Sequence, residues 1–183
     1  MLLLSAVLFA QESEEAYLGE SYNARITYVD ECTYLFFETE HSQGTGRSVG
    51  YGHCDRYMNE SMDLFERSYT FSGGLSAYSV HLFRDGLYLG AMLGLEYAEV
   101  EAIFSSSSGR RFSINPMVVL GYQWHFRRGF HLALGGGAQM RVPVWFEEKI
   151  DGSGSPATNA KLHNSLIVPG YEFKPTVFIG WRF

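Results

Sequence analysis

The chain has 183 residues, a length that fits one domain. With 46% hydrophobic residues, 19% charged residues and a mean hydropathy of −0.09, it has no run of the ~18 apolar residues that a membrane helix needs. This composition excludes a helical membrane protein but allows a barrel of half-apolar strands. The net charge of −6 argues against nucleic acid as a partner.

The first ten residues are apolar and precede an acidic stretch at residues 11–15. This order is typical of the core and end of a secretory signal peptide. The segment lacks the basic residues that usually begin such a signal, so its start could be truncated. A short buried helix or strand is the alternative. We therefore predict a signal peptide over residues 1–10 and a single domain over residues 11–183.

The chain has two cysteines, Cys32 and Cys54. In an exported protein a single pair is expected to form a disulfide, although the spacing alone does not exclude free thiols. His53 lies next to Cys54, but one histidine and two cysteines without a second close pair indicate zinc only weakly. We predict no metal ligands and no cofactor.

The first half of the chain shows weaker strand patterns than the second. Residues 22–28 alternate apolar and polar side chains, and residues 33–39 and 48–57 are candidate second and third strands. A turn at residues 41–46 joins the last two. Residues 58–67 are then predicted to form an outer loop.

Strict alternation continues over long segments in the second half, at residues 87–97, 112–126 and 130–146. These segments exceed the ~5–6 residues usual for strands of globular proteins. Residues 68–83 form a further candidate strand, but the apolar parity changes along it. Tyr69, Phe71 and Leu75 share one parity. Tyr78, Val80 and Leu82 share the other, which predicts a β-bulge near residues 73–77.

The last thirteen residues, 171–183, alternate most clearly. One face carries Tyr171, Phe173, Pro175, Val177, Ile179, Trp181 and Phe183. The pattern resembles the C-terminal signature of bacterial outer-membrane β-barrels, in which a final aromatic residue after alternating apolar residues is read by the assembly machinery. The resemblance implies that Ile179, Trp181 and Phe183 form the assembly signal. A soluble barrel would rarely place Trp181 and Phe183 on its outer face.

Short and long connections alternate between the predicted strands. Residues 84–86 and 127–129 are tight turns with glycine, whereas residues 105–111 and 147–170 are long and polar. Such alternation is typical of outer-membrane barrels, which have short periplasmic turns. We predict an all-β, antiparallel, up-and-down transmembrane β-barrel of eight strands. Six or ten strands are also compatible, because residues 30–66 are ambiguous.

The face opposite the apolar belt is expected to point into the lumen. It carries Glu96, Gln123, His125, His131, Gln139, Arg141, Trp145, Glu172, Lys174 and Arg182. Glu96, Arg141 and Lys174 lie ~10 residues from their turns, so they should share one height. Since buried charges need partners, we predict a closing network of these three residues with Gln139 and Arg182, including a bridge from Glu96 to Arg141 or Lys174. A small pore is the alternative.

An enzymatic alternative rests on His163, Ser165 and Glu172. Some small outer-membrane barrels modify lipid A, and one deacylase family carries a His-x-Ser pair with a carboxylate. Here the pair lies in a loop where such residues are common, and the residues after it do not match the deacylase pattern. Because a triad needs histidine to reach both serine and carboxylate, we predict that the protein is not an enzyme.

Residues 68–183 together resemble the small bacterial outer-membrane β-barrel superfamily, the OmpA/OmpX-like transmembrane barrels. The resemblance implies an outer-membrane barrel domain over residues 11–183. It also implies contact with outer-membrane lipids, lipopolysaccharide and the assembly machinery. We expect a structural or interaction role at the cell envelope, with binding through outer loops, above all residues 147–170.

Membership of a larger outer-membrane complex is an alternative to a free-standing barrel, because nothing in the sequence separates the two. A soluble lipocalin-like carrier would need an apolar interior. The charged, glycine-containing inward face argues against it.

Overall fold

The computed structural model describes residues 21–29, 31–41, 45–58, 63–78, 86–126, 129–152 and 154–182. The predicted signal peptide and Phe183 lie outside the described residues. The strands are β1 Ser21–Val29, β2 Cys32–His41, β3 Thr45–Tyr57, β4 Leu64–Tyr78, β5 Gly86–Ala102, β6 Ser108–His125, β7 Phe130–Lys149 and β8 Gly170–Arg182.

These eight strands form one closed barrel in which each strand pairs antiparallel with its neighbours in sequence. β8 pairs with β1 and completes the ring. The prediction of an all-β, up-and-down barrel of eight strands is therefore confirmed. The alternatives of six and ten strands are wrong for the described part of the chain.

Alternation of side chains assigns one face of each strand to the lumen and the other to the outer surface. On β5, Leu93 is 52% exposed and Leu95 43%, whereas Ala98 and Val100 are fully buried. On β8, Tyr171, Phe173 and Trp181 are exposed and Phe178 is buried. The predicted inner and outer faces of these two strands agree with the structure.

A helix, α1 (Pro156–Ile167), lies in the connection between β7 and β8. Its start has a clear local cause, because the Ser155 side chain accepts a hydrogen bond from the Thr158 amide and Pro156 occupies the first turn. The alternation that predicts strands gave no signal for it. Within the described residues, no helix is both long and apolar enough to cross a membrane.

Two strand boundaries differ from the prediction in a way that matters for the lumen. β4 begins at Leu64, inside the predicted outer loop, and β6 begins at Ser108, inside the predicted loop 105–111. Glu66 and Arg111 thus lie on strands and face inward, where both are fully buried.

The predicted bulge near residues 73–77 is wrong. β4 pairs with β3 and with β5 in unbroken register through this region. Val80 and Leu82, on which the parity change also depended, lie outside the described residues.

A register shift occurs instead between β6 and β7, where Phe112 lies opposite Trp145 and Ser113 opposite Pro143. The extra residue turns Trp145 to the same face as Phe112. Trp145 is 50% exposed, so its predicted inward position is wrong.

The barrel wall is uneven in height. β1 and β2 have 9 and 10 residues and meet in a tight turn, whereas β6 and β7 have 18 and 20. Glu31 in the tight turn has a positive φ of 63°. Next to it, Cys32 lies opposite Cys54 and the two form a disulfide that joins β2 to β3. The helix α1 comes from the tall side of the wall.

Candidate functional site

The end of the barrel that carries α1, which we name the capped end, is closed by an apolar cluster. Leu162 and Leu166 of α1 are fully buried against Leu64, Val100 and Ala102, which lie near the ends of β4 and β5. A helix that buries two leucines in this position forms a lid over the lumen.

Polar contacts hold the lid at its edges. Lys161 lies 2.7 Å from the Asp63 carboxylate, and His163 Nδ1 lies 2.8 Å from Glu148 Oε2. The hydroxyl of Ser107 donates to Asn159 at 2.9 Å. These contacts join α1 to the wall at three places.

Arg111 connects the lid to charged residues beneath it. Its Nη1 donates to the carbonyl oxygen of Ser165 on α1 at 2.6 Å. Its Nη2 lies 2.9 Å from Glu66 Oε2 and 2.8 Å from Glu96 Oε1. Because Arg111 and Glu66 are fully buried, this is a desolvated, charge-assisted contact.

Three further residues extend this cluster across the lumen. Arg56 lies 3.1 Å from Glu66 and 3.3 Å from Glu172, and Arg141 lies 3.7 Å from Glu172. The ion-pair layer thus consists of Arg56, Glu66, Glu96, Arg111, Arg141 and Glu172. Its three arginines balance its three glutamates, so the layer is neutral and crosses the lumen.

The structure describes three side chains of the predicted closing network, those of Glu96, Gln139 and Arg141. Glu96 and Arg141 both belong to the ion-pair layer, but Glu96 contacts Arg111 and Asn115 and not Arg141 within the described contacts. Gln139 faces the lumen just below, at the wall of a cavity. The backbones of Lys174 and Arg182 lie in β8, and their side chains lie outside the described part of the structure.

Sequence reasoning missed Arg56, Glu66 and Arg111. A signal was present for Arg111, which has the same parity as Ser113 and Asn115 on β6, and for Glu66, which has the parity of Ser68 on β4. Assigning both to loops hid that signal.

A second layer, the aromatic layer, fills the lumen toward the opposite end, which we name the turn end. It consists of Phe36, Tyr88, Val119, Ala133 and Phe178. The ring of Phe178 lies 5.8 Å from that of Phe36 and 6.3 Å from that of Tyr88, both edge to face.

The side chain of Tyr88 fits in the lumen because it packs against two residues without side chains, Gly121 and Gly135. A Cβ atom on Gly135 would lie 2.8 Å from the Tyr88 hydroxyl oxygen and 2.5 Å from the carbonyl oxygen of Leu120. Toward the turn end, Arg25 and Glu38 form a buried ion pair at 2.7 Å, and Arg25 also lies 3.3 Å from Gln123.

The three residues of the enzymatic alternative are not assembled into a triad. His163 contacts Glu148, the Ser165 hydroxyl donates to the Leu162 carbonyl at 2.6 Å, and Glu172 contacts the arginines of the ion-pair layer. No described contact joins His163 to Ser165. Among the described residues, no group of three or more metal-ligating side chains is close enough to hold an ion.

The outer surface of the barrel is apolar along most of its height. Ile26, Phe71, Leu93 and Val118 are among its exposed side chains. Ile179 and Trp181, two residues of the predicted assembly signal, point outward on β8 and are exposed.

Toward the capped end the outer surface becomes charged. Arg67 pairs with Asp55 at 2.9 Å and Arg110 with Glu99 at 3.4 Å on adjacent strands. An apolar belt that ends in such charges fits a wall that crosses a bilayer.

Comparison with known protein families finds no match, and no curated protein matches the chain. Solved structures do resemble it. Neisserial surface protein A superimposes with a TM-score of 0.58 at 14% identity, over 90% of this chain and 94% of that one. A major outer membrane protein of Thermus thermophilus gives 0.57 at 11%, over 90% and 98%.

The N-terminal β-barrel domain of Pseudomonas aeruginosa OprF gives a TM-score of 0.55 at 12% identity, over 90% of this chain and 96% of that one. These neighbours are outer-membrane β-barrel proteins. The chain therefore has the fold of a small outer-membrane β-barrel, and the resemblance predicted from the strand pattern is confirmed for the fold.

Proposed function

We propose that this protein is an integral outer-membrane β-barrel with a closed lumen and a structural or interaction role at the cell envelope. In this proposal the apolar belt contacts lipid, the turn end faces the periplasm and the capped end faces outward. The main support for this proposal is that the barrel has an exposed apolar belt and, inside it, a buried ion-pair layer under a packed lid. The outer surface of a water-soluble barrel would rarely expose such a large apolar area.

Binding is proposed at the capped end. The cell envelope partner would meet the exposed face of α1 and the charged rim, where lipopolysaccharide also lies. Ala160 and Asn164 are exposed on α1, whereas Leu162 is buried. Export by residues 1–10 and recognition of Ile179, Trp181 and Phe183 by the assembly machinery complete the proposal.

The test of location and closure uses the purified full chain. We expect it to fractionate with outer membranes and to migrate faster on an unheated gel than after boiling, because a hydrogen-bonded barrel resists detergent. In planar bilayers it should conduct little or no current. Recovery in the soluble periplasmic fraction would contradict the location, and a steady large conductance would contradict the closed lumen.

The binding surface is tested by comparing two changes on α1. Ala160→Asp alters only the exposed face and should abolish contact with a defined partner, such as anionic lipopolysaccharide vesicles, without altering heat-modifiability. Leu162→Asp should instead dislodge the lid. If Ala160→Asp and Asn164→Asp both leave vesicle and envelope-protein binding unchanged, the exposed face of α1 is not the binding surface.

A further inference from the structure

A groove of about 310 Å³ lies on the barrel wall near the turn end, where β1, β2 and β3 run side by side. Its outward-facing wall is formed by Tyr22, Phe37, Thr39, Arg47 and Val49. Tyr22, Phe37 and Val49 are 54%, 62% and 51% exposed, so the groove is open at the outer surface. Its volume lies within the range of about 300–1,000 Å³ that is usual for small-ligand sites.

Arg47 is unusual for its position in this wall. Between the turn end and the surface ion pairs near the capped end, it is the only arginine, lysine, aspartate or glutamate among the described outward-facing strand residues. Its neighbours across the sheet are Thr39 on β2 and Leu75 on β4. A charged side chain on the lipid-facing side of a membrane barrel is destabilising unless it reaches a polar partner.

Within the described part of the chain, no acidic side chain pairs with Arg47. Its carbonyl oxygen accepts a hydrogen bond from the Thr39 hydroxyl at 3.5 Å, which leaves the guanidinium uninvolved. Glu38 also borders the groove, but its carboxylate lies 2.7 Å from Arg25 inside the barrel and accepts from Ser76. The guanidinium of Arg47 is therefore the one charge that these described residues present on the outer side of the groove.

The strand positions place this guanidinium near one surface of the membrane. Arg47 is the third residue of β3, so it lies about 7 Å along the strand from the turn end. Phe130 and Trp181 pack together at the same end of the barrel, with ring centroids 6.2 Å apart. Aromatic rings on the outer face of a membrane barrel lie at the level of the lipid head groups. The long side chain of Arg47 therefore reaches the head groups of the leaflet at the turn end.

The chemistry of the groove matches a phosphodiester that carries apolar chains. A guanidinium presents its donors in a planar fork that fits two phosphate oxygens, and the contact is charge-assisted. Tyr22 and Thr39 border the groove with hydroxyl groups. Phe37 and Val49 lie opposite each other, closer to the middle of the barrel than Arg47, where they offer apolar contacts. A phospholipid has its anion and its apolar chains in this order.

We propose that the groove binds the head group of one anionic phospholipid from the leaflet at the turn end. The phosphodiester bonds to Arg47, the head-group glycerol lies beside Tyr22 and Thr39, and the acyl chains pass Phe37 and Val49 along the apolar belt. The acyl chains stay outside the groove, so its volume holds only the phosphate and the glycerol. Because the ligand comes from the bilayer, this inference rests on the proposed membrane location.

The test uses the full chain, purified in mild detergent and titrated with phosphatidylglycerol or with phosphatidylcholine of the same acyl chains. Native mass spectrometry counts the lipid molecules retained. Phosphatidylglycerol has a net negative charge, whereas the choline group neutralises the phosphate of the other lipid. We expect one phosphatidylglycerol molecule to bind roughly tenfold more tightly than phosphatidylcholine, because a charge-assisted contact is stronger than a neutral one. Equal binding of the two lipids would mean that Arg47 merely reaches the aqueous surface, and would overturn the inference.

Arg47→Leu should remove the preference for phosphatidylglycerol. The variant is expected to fold, because it places an apolar side chain on the apolar belt. Arg67→Leu is the matched control, since it makes the same change in net charge at the capped end, where Arg67 pairs with Asp55. The preference should persist in this control. An equal loss in the two variants would show that overall charge, and not the groove, attracts the lipid.

Val49→Trp tests the groove while Arg47 stays in place. The larger side chain should fill the space beside the guanidinium and lower the binding of phosphatidylglycerol to the level of Arg47→Leu. Unchanged binding in the folded variant would contradict a site in the groove.

Heat-modifiability and fractionation with outer membranes are measured for each of these proteins. A chain with natural residues that fails these two checks contradicts the proposed function. A folded chain that fractionates with outer membranes but does not prefer phosphatidylglycerol contradicts the lipid site alone.

Discussion

The two halves of the lumen are closed by opposite kinds of side chain. At the capped end six charged residues meet in a neutral ion-pair layer beneath the leucines of α1. Toward the turn end, rings of phenylalanine and tyrosine fill the same cross-section, and one ion pair, Arg25 with Glu38, lies beyond them. Both halves leave little open space, but for different physical reasons.

The difference predicts how each half responds to change. Long arginine and glutamate side chains can cross the lumen where small residues such as Ser68 and Ser113 line it. A buried ion pair adds little net stability, but removal of one partner leaves an uncompensated charge. Rings instead stabilise by buried area and close packing. The capped half should therefore be sensitive to loss of charge, and the turn half to loss of volume.

The largest effect is expected for Arg111→Leu. It removes the only described partner that joins Glu66, Glu96 and the lid, so about 3–5 kcal/mol of the free energy of unfolding should be lost. Urea titration of the refolded barrel in lipid vesicles measures it. Arg110→Leu is the matched control, because Arg110 is 58% exposed and its ion pair lies on the surface. Equal losses in the two variants would contradict a buried charge cluster.

A comparable but smaller effect is expected for Phe178→Ala in the aromatic layer. Truncating a buried phenylalanine costs about 3–5 kcal/mol, and we expect the lower part of that range because the cavity beside Phe178 allows neighbours to relax. Phe173→Ala, on the outer face of the same strand, is the control. Bilayer recordings should stay silent, since the ion-pair layer still blocks the lumen. A steady current would show that the aromatic layer alone closes the barrel.

Leu162→Ala tests whether the lid is packed. The side chain is fully buried, and its truncation should cost about 2–3 kcal/mol if the leucine cluster is well packed. Protease digestion of α1 in the folded barrel should accelerate, while heat-modifiability of the strands persists. Ala160→Gly, at an exposed position of the same helix, should leave the leucine contacts in place. Identical digestion of both variants would mean that the leucines do not hold the lid.

The smallest effect is expected for Ser155→Ala, which removes the cap of α1. Loss of the hydrogen bond to the Thr158 amide should cost about 1 kcal/mol of helix stability. Hydrogen exchange at the first turn of α1 should rise and that of the ion-pair layer should not. A rise in both would mean that the lid and the layer open together, as the contact of Arg111 with Ser165 would allow.

The alternation of residues 87–97, 112–126 and 171–183 determined the architecture and the two faces of the wall, because a barrel strand must separate lipid from the interior at every second residue. It placed Glu96 and Arg141 inside. It did not find α1, whose amphipathic pattern is short and whose position depends on the leucine cluster that it covers. It also placed Glu66 and Arg111 in loops, because charged residues near the end of a strand are usually expected to be exposed to water.

Tertiary structure alone decided which charges meet. Parity places a side chain inside the lumen, but partners depend on strand tilt, register and height around the ring, and these properties follow from closure. In the closed barrel Arg111 forms ion pairs with Glu66 and Glu96, and Arg141 forms one with Glu172. Closure also pairs β1 with β8, the first and last strands of the barrel. Residues of both strands, Thr27 and Phe178, therefore line one cavity. Within the strands that it identified, alternation determined which side chains face inward except at Trp145, which the register shift turns outward. The closed ring determined what the inward side chains contact.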